Sequence, residues 1–250
     1  MTAWQLGERA PEGASSFSRY SEANVPTEYG ELRVVCYRER TAEGALKEHL
    51  AIVKGDLRGG DEVPVRVHSE CLTGEVLHSL KCDCREQLDH ALRRIASADR
   101  GAVLYLRQEG RGIGLGNKIR AYALQERGVD TVDANRMLGL PDDLRTFDGA
   151  AYMLADLGVR SIVLLTNNPL KVKSLRAEGV HVVRREPVRI EPNAHNVEYL
   201  RTKGPRMGHE LMGHPLNESV LETARFTSPS DTAADAPALP LRPRFPRRVG

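Results

Sequence analysis

Three of the four cysteines in this chain fall close together, and their spacing constrains the fold more than any other feature. Cys71, Cys82 and Cys84 form a C-x10-C-x-C pattern, and three thiolates brought together in this way can occupy three corners of a zinc tetrahedron. A fourth corner filled by water is typical of catalytic zinc, whereas His68 or His78 as fourth ligand would make a structural site. Catalytic zinc, structural zinc and buried free thiols all remain open at this point.

The composition excludes several classes of partner. The chain has 250 residues and a formal net charge of +2, with 36 Lys and Arg against 34 Asp and Glu, so no general basic field favours nucleic acid. No apolar run is long enough to span a membrane, and residues 1–16 do not resemble a signal peptide. We therefore expect a cytoplasmic protein with reduced thiols, no nucleic-acid partner and no membrane partner, in which Cys36 has a packing role.

The hydrophobic pattern changes along the chain and predicts a mixed α/β (α+β) fold. Strands at 31–37, 49–55 and 63–68, separated by short turns, indicate an N-terminal antiparallel, barrel-like sheet. The later pattern is typical of α/β layers, with strands at 102–107, 161–165 and 180–184 and helices at 85–98, 117–126, 133–138, 149–157 and 169–178. Composition divides the chain into a flexible N-terminal arm (1–22), one folded domain (23–212) and a disordered C-terminal tail (213–250).

A glycine-rich loop between a predicted strand and a predicted helix is a candidate anion site. Residues 107–118 read RQEGRGIGLGNK, with four glycines and the cations Arg111 and Lys118. Glycines let backbone N–H groups approach phosphate oxygens, and the helix that follows adds a favourable dipole. The loop matches no standard nucleotide motif, so a flexible turn is an equally good interpretation.

Two further clusters lie at positions where α/β proteins bind ligands. Asp143 and Arg145 follow a Pro turn and, taken alone, indicate only a surface turn. Thr166 ends an apolar strand, at the edge where α/β sheets place ligands. Asn168 is best interpreted as the cap of the next helix, and Lys171, one turn into that helix, can reach an anion at the same edge.

Together these stretches resemble a known family in both order and separation. They read RVHSECLTG (66–74), CDC (82–84), RQEGRGIGL (107–115), NKIRAYALQ (117–125) and LTNNP (165–169). The family that they resemble is GTP cyclohydrolase II, and the resemblance covers roughly residues 24–210. Some members carry a preceding dihydroxybutanone-phosphate synthase domain, for which this chain has no room, so we expect the monofunctional form.

The resemblance implies an activity and a cofactor. The family opens the imidazole ring of GTP, releases C8 as formate, cleaves pyrophosphate and leaves a diaminopyrimidinone ribosyl 5′-phosphate, the first step of riboflavin biosynthesis. By resemblance, one Zn²⁺ per chain is held by Cys71, Cys82 and Cys84 and activates water, Mg²⁺ accompanies the GTP phosphates, and the protein is a homodimer. Whether the product enters riboflavin or a specialised metabolite is left open.

The resemblance also assigns roles to individual residues. Tyr122 matches a tyrosine near C8, and Asp143 and Arg145 match the pair that acts at the α-phosphate. Arg145 is described in the family as a nucleophile, but a guanidinium is better suited to clamping a phosphate. Glu109 is a natural acceptor for guanine N–H groups. The GTP-binding positions are Arg66, Val67, His68, Ser69, Glu70, Gln87, Glu109, Gly110, Arg111, Thr131, Thr166 and Lys171.

Two alternatives are weighed against this hypothesis. An enzyme that stops after ring opening would leave a formamidopyrimidine product. A nucleotide- or RNA-binding module would use its zinc only as a structural staple, and Cys84→Ser would then unfold it. The scarcity of aromatic residues, 5% of the chain, argues against a module that stacks bases.

Overall fold

Seven strands form one mixed sheet in the computed structural model, which describes residues 16–129, 131–141 and 143–190. In spatial order the sheet reads β1-β2-β3-β5-β4-β6-β7. Pairing is antiparallel from β1 through β2 and β3 to β5, and parallel from β5 through β4 and β6 to β7. The strands are β1 (Ser16–Thr27), β2 (Gly30–Arg40), β3 (Leu46–Lys54), β4 (Val63–Ser69), β5 (Gly101–Leu106), β6 (Ile162–Leu165) and β7 (Val182–Glu186).

Six α-helices connect or cover these strands within the described ranges. They are α1 (Leu72–Glu75), α2 (Cys84–Ala96), α3 (Leu115–Gln125), α4 (Thr131–Met137), α5 (Asp148–Asp156) and α6 (Pro169–Ala177), and a 3-10 turn spans Glu109–Gly112. Every helix and strand predicted from periodicity is present, with ends shifted by a few residues. Two elements have no such pattern: β1 is polar and exposed along nearly its whole length, and α1 is a single turn.

The predicted mixed α/β class is confirmed, but the barrel-like arrangement is not. The antiparallel strands and the parallel strands share one row, and no pairing among the described residues joins β1 to β7. The chain runs from β4 through α2 to β5 and inserts β5 between β3 and β4. Parallel neighbouring strands need a long crossover connection, and here the segment that contains α2 supplies it. Since no pairing among the described residues closes the row of strands, the sheet is open.

The two faces of the sheet bury separate cores. On one face, Met153 and Leu154 of α5 and Leu175 of α6 pack against Val65 and Leu104 of the central strands. On the other face, Ala91 and Ile95 of α2 pack against strand residues such as Val103 and Leu165. Because both faces are covered, β4, β5 and β6 are deeply buried. Their carboxyl ends are therefore held rigidly at one edge of the sheet.

The N-terminal boundary expected from composition is wrong for residues 16–22. These residues form the first half of β1, which pairs with β2 along its length. Phe17 anchors the strand, because its ring stacks on Tyr152 at 5.7 Å and lies against Gly149 of α5. Polar composition suggested an arm, but an edge strand satisfies its backbone on one side and leaves its side chains in water. Residues 1–15 and the predicted tail lie outside the described residues.

Candidate active site

The candidate site lies where β4, β5 and β6 end at the same edge of the sheet. Ser69 ends β4 just before Cys71, the glycine-rich loop follows β5, and Thr166 follows β6. Parallel strands present their carboxyl ends side by side, and ligands in α/β proteins bind at this edge. Stretches that lie far apart in sequence thus meet at one place.

The three cysteines converge as the zinc hypothesis requires. The ligand atoms of Cys71, Cys82 and Cys84 all lie within 4.8 Å of one another, and Cys71 Sγ is 3.7 Å from Cys82 Sγ. Tetrahedral zinc–sulfur bonds of about 2.3 Å place neighbouring sulfurs roughly 3.8 Å apart. All three thiols are free of disulfides. The donor set and its spacing therefore fit a zinc ion.

Gly74 makes room for this cluster. A Cβ built on Gly74 would lie 2.9 Å from Cys82 Sγ and 3.3 Å from Cys71 Sγ. Such distances are too short for a carbon–sulfur contact, so a side chain at this position would push the sulfurs apart. The glycine of the CLTG stretch is thus explained by packing against the sulfurs.

Neither histidine near the cysteines joins the cluster. Among the described residues the metal-binding group consists of the three cysteines alone, and His68 Nε2 instead contacts Glu75 Oε1 at 2.7 Å. The three-thiolate set therefore leaves a fourth position for water or substrate, as in catalytic zinc sites. Of the alternatives weighed from sequence, a Cys3His staple built with His68 or His78 is not supported.

The carboxylate of Glu75 connects several residues at the base of the site. Glu75 accepts hydrogen bonds from Cys71 N (3.1 Å), from His68 Nε2 (2.7 Å) and from the Tyr105 hydroxyl (2.5 Å). Because a carboxylate only accepts, the His68 proton lies on Nε2, and its buried Nδ1 has no hydrogen-bond partner among the described residues. Burial lowers the pKa of His68, so the neutral ring is favoured.

The three thiols of the cluster influence one another's ionisation. Hydrogen bonds from Cys82 and Cys84, with a further one from Lys118 Nζ at 3.1 Å, hold the pKa of Cys71 well below its usual range. Its thiolate in turn raises the pKa of Cys82 to about 11 and raises the pKa of Cys84 above its ordinary value. A cation placed here would relieve this repulsion, because it stabilises all three thiolates together.

Glu109 forms the wall of the cluster. Its Oε1 accepts from Gly110 N at 3.0 Å and from Lys118 Nζ at 2.8 Å, and its Oε2 accepts from Leu72 N at 2.7 Å. A carboxylate has about four lone-pair positions, and three donors occupy three of them here, so one acceptor position of Glu109 remains. Glu109 therefore ties the glycine-rich loop to the cysteine segment.

Three cations converge beside the cysteines. Arg66 and Lys171 are both 6% exposed, and the Arg145 side chain is 17% exposed. Burial, followed by the charges of Arg66 and Arg145, lowers the pKa of Lys171 well below its ordinary value. Arg66 donates to Leu165 O and to Gln87, and Lys171 Nζ donates to Val67 O at 2.9 Å. Mutual repulsion and loss of hydration both destabilise the charged forms of cations held this close. An anionic ligand bound beside them would therefore stabilise these charged forms.

Asp143 and Arg145 form a two-pronged ion pair. Arg145 Nε lies 2.9 Å from Asp143 Oδ1, and the Arg145 NH2 group lies 2.5 Å from Oδ2. Although burial opposes it, hydrogen bonding from Arg145 holds the pKa of Asp143 below its usual range. The neighbouring Leu144 N donates to Arg111 O at 2.9 Å, which fastens this segment to the glycine-rich loop.

Tyr122 projects from α3 toward the cysteine segment. Lys81 Nζ and Lys118 Nζ lie 5.0 Å and 5.8 Å from the centre of its ring. Burial raises the pKa of Tyr122 to about 12. The phenol therefore keeps its proton at neutral pH and can donate it.

The remaining predicted positions lie along the same edge, with one outside the description. Glu70 accepts from Arg107 Nε at 2.7 Å, and Thr166 Oγ1 accepts from Asn168 N at 3.1 Å. The Ser69 hydroxyl is buried and has no partner within the part of the chain that the structure describes. Asn168 caps α6 as predicted, accepting from Leu170 N. The side chain of Thr131, at the start of α4, lies outside the described residues.

Sequence patterns missed three parts of this arrangement. Glu75 and Tyr105 did not stand out, and Lys118 was grouped with the phosphate loop although it contacts Cys71 and Glu109. The spacing of four residues from Cys71 to Glu75 is a usable local indication, because one helical turn brings such residues together. No local pattern links Tyr105 to Glu75 or Lys118 to Cys71.

Comparisons with known proteins identify one family. The family model described as GTP cyclohydrolase II matches residues 18–187. The chain is 48% identical to GTP cyclohydrolase-2 of Actinobacillus succinogenes, over 79% of this chain and 90% of that protein. It is 49% identical to GTP cyclohydrolase-2 of Histophilus somni, with the same coverage. No helix within the described residues has the length and apolar character needed to cross a membrane.

Longer proteins also contain a matching region. The riboflavin biosynthesis protein RibBA of Mycolicibacterium gilvum is 52% identical over 78% of this chain, which spans 47% of that protein. A solved structure described as RibBX, a two-domain 3,4-dihydroxy-2-butanone 4-phosphate synthase from A. baumannii, covers 70% of this chain and 40% of its own. Its sequence identity is 24% and its TM-score is 0.38.

Proposed function

The chain belongs to the GTP cyclohydrolase II family, and we propose on this basis that it hydrolyses GTP in the first step of riboflavin biosynthesis. The reaction opens the imidazole ring at C8, releases formate and pyrophosphate, and leaves a diaminopyrimidinone ribosyl 5′-phosphate. The observation that carries the proposal is the meeting of three cysteine sulfurs with three cations, two of them buried, at one edge of the sheet. A metal-activated water and a triphosphate need those two groups side by side.

Cys71, Cys82 and Cys84 are the residues that would hold zinc. When bound, zinc would supply Lewis-acid activation of water for attack on the purine. Glu75 and Glu109 anchor the cysteine segment through Cys71 N and Leu72 N. The two carboxylates thereby fix the orientation of Cys71 relative to the substrate-binding loops.

Tyr122 is proposed as the proton donor near C8. Its pKa of about 12 keeps the phenol protonated at neutral pH, and a phenol can pass its proton to a nitrogen that leaves the opened ring. The phenolate left by this transfer would take up a proton from solvent before the next turnover. Release of formate requires a second hydrolysis at the same carbon, which this residue would assist.

Arg66, Arg145 and Lys171 are proposed to bind the triphosphate. Asp143 orients the Arg145 guanidinium through two hydrogen bonds, which suits a phosphate clamp better than a nucleophile. Mg²⁺ would accompany the phosphates, because it prefers phosphate oxygens and carboxylates. The rest of the nucleotide site would comprise Val67, His68, Ser69, Glu70, Gln87, Glu109, Gly110, Arg111, Thr131 and Thr166.

The working form is proposed to be a homodimer in the cytoplasm. Family resemblance supports the dimer, and the four free cysteines support a reducing compartment. Sedimentation of the purified protein tests the dimer directly.

Incubation with GTP, Mg²⁺ and Zn²⁺ tests the function. Loss of the purine absorbance, with formate and pyrophosphate released in equal amounts, is the expected result. Absence of any spectral change with folded, metal-loaded protein would overturn the proposal. Pyrophosphate without formate would instead indicate a formamidopyrimidine product.

Cys84→Ser separates catalysis from a binding module with structural zinc. The catalytic proposal expects a folded protein that no longer opens the ring. Unfolding of this variant would favour the structural role.

A further inference from the structure

Lys118 is a buried ammonium joined directly to the cysteine cluster. Its Nζ lies 3.1 Å from Cys71 Sγ and 2.8 Å from Glu109 Oε1, and its side chain is 11% exposed. Both distances suit charge-assisted hydrogen bonds. Lys118 is not among the residues that family resemblance assigned to nucleotide or metal.

We propose that Lys118 is a positioning residue that tunes the metal centre through the Cys71 sulfur. The inference rests on the proposed zinc-dependent function and names a residue that controls it. Lys118 would act on the ligand, and it would bind neither the guanine nor the phosphates of the substrate.

Charge balance explains why such a residue is needed. Three thiolates and one Zn²⁺ carry a net charge of −1, and thiolates donate strongly to the metal, which weakens its pull on a water molecule. An N–H···S hydrogen bond withdraws electron density from Cys71, and the ammonium lowers the total negative charge of the cluster and the adjoining Glu109 carboxylate from −2 to −1. In a site largely shielded from water this interaction is screened less than at the surface.

Glu109 keeps Lys118 in this position. One Glu109 oxygen accepts from Lys118, and the other accepts from the backbone of Leu72, the residue after Cys71. The carboxylate thus holds the ammonium and the cysteine segment in one frame. Glu109 and Cys71 engage two of the three N–H groups of the ammonium, which leaves at most one for a phosphate, so the sequence-based assignment to the phosphate loop is disfavoured.

The test compares Lys118→Met with the unaltered protein after Co²⁺ substitution. Loss of the hydrogen bond makes the Cys71 thiolate easier to oxidise, so the thiolate-to-cobalt charge-transfer band should move to longer wavelength. The kcat of the zinc-loaded variant should fall by about 10- to 100-fold, the range typical of lost contacts to metal ligands. The KM for GTP should change less than about threefold, because uniform substrate binding is untouched.

Lys81→Met is the matched control. Lys81 also lies over the Tyr122 ring, at 5.0 Å, but its ammonium contacts Glu126 at 3.3 Å and no cysteine. This variant should keep both the band position and kcat. Lys118→Arg, which restores a cationic N–H donor, should return the band most of the way to its original wavelength.

The outcomes separate this inference from the function on which it rests. An unchanged band in Lys118→Met, with a raised KM, would overturn the inference and make Lys118 a substrate ligand. If that variant does not fold, Lys118→Gln removes the charge and keeps a polar side chain, and an unshifted band in it together with a raised KM would equally overturn the inference. Absence of a thiolate–cobalt band in the unaltered protein would contradict the proposed function itself.

Discussion

Single residues decide whether the sulfurs can share a metal. Gly74 leaves the space that Cys82 and Cys71 occupy, and Glu75 collects three donors that would otherwise be buried without partners. Both lie in one helical turn that the hydrophobic pattern does not reveal. The geometry of the cysteine cluster thus depends on two residues that are themselves neither candidate metal ligands nor proposed catalytic residues.

Gly74→Ala should weaken zinc binding without unfolding the protein. The added methyl group would sit 2.9 Å from Cys82 Sγ, so the sulfurs must separate, and we expect at least about a tenfold loss of affinity. Chelator competition measures this loss. Gly116→Ala on α3 is the control, since its Cβ would meet nothing within 4 Å, and it should be neutral or stabilise the fold by up to about 1 kcal/mol. Equal affinities for both variants would refute the packing argument.

His68 should make folding stability depend on pH below neutrality. Burial lowers its pKa, so the unfolded chain binds a proton that the folded chain does not. The stability from the neutral ring is therefore complete above about pH 6.5 and is lost as the pH falls, by up to about 1.4 kcal/mol per pH unit.

Urea titrations between pH 7 and pH 5 test the His68 prediction. The comparison is with His68→Gln, whose amide can still donate to Glu75 but does not titrate. The variant should lose stability less steeply with falling pH. Parallel slopes for the two proteins would show that His68 does not contribute.

At the scale of elements, β1 shows how weak composition is as a guide to disorder. The strand carries almost no buried residue, yet it pairs with β2 from Ser16 to Thr27. Its attachment to the helices is local: Phe17 packs on α5, and Arg19 pairs with Asp156 at 3.1 Å. Backbone pairing and one aromatic contact are enough to order a polar segment.

Phe17→Ala should destabilise the fold by about 1–2 kcal/mol, a partial share of the cost at a fully buried aromatic position. Tyr20→Ala supplies the comparison on the same strand, because Tyr20 is 57% exposed and contacts mainly Arg38. The control should change stability by less than about 0.5 kcal/mol. Denaturant unfolding of both variants gives the difference, and equal effects would mean that Phe17 does not anchor β1.

At the scale of the whole molecule, the metal cluster and the hydrophobic cores are separate. Both cores are built from the sheet, α2, α5 and α6, and neither contains a residue of the described segment 69–87. Burial of apolar surface is the main stabilising contribution to a fold. The fold should therefore survive loss of the metal, although its binding segment should not stay ordered.

Zinc removal should loosen residues 70–84 while the sheet stays folded. Without a cation, the crowded thiolates lose the charge that offsets their repulsion, whereas β4 and β5 keep their buried pairing. Hydrogen exchange after chelation should show faster exchange in the cysteine segment and unchanged protection in β5. Simultaneous loss of protection in both regions would show that zinc is a structural staple.

Local patterns were sufficient for part of this molecule. Hydrophobic periodicity located the central strands and most helices because each element must bury one face, and that requirement repeats with the geometry of the element itself. The same applies to the cap at Asn168, which involves only its neighbours. The cysteine spacing and the surrounding motifs identified the family and the candidate ligands without coordinates.

The tertiary structure alone decided the strand order and the partners within the site. Insertion of β5 between β3 and β4, the pairing of Lys118 with Cys71 and the convergence of Arg66 with Lys171 all join residues far apart in sequence. Such contacts depend on how the whole chain packs and closes its loops, and no short-range periodicity encodes that choice. The cysteine spacing predicted a metal site, and the fold determined which charged side chains surround it.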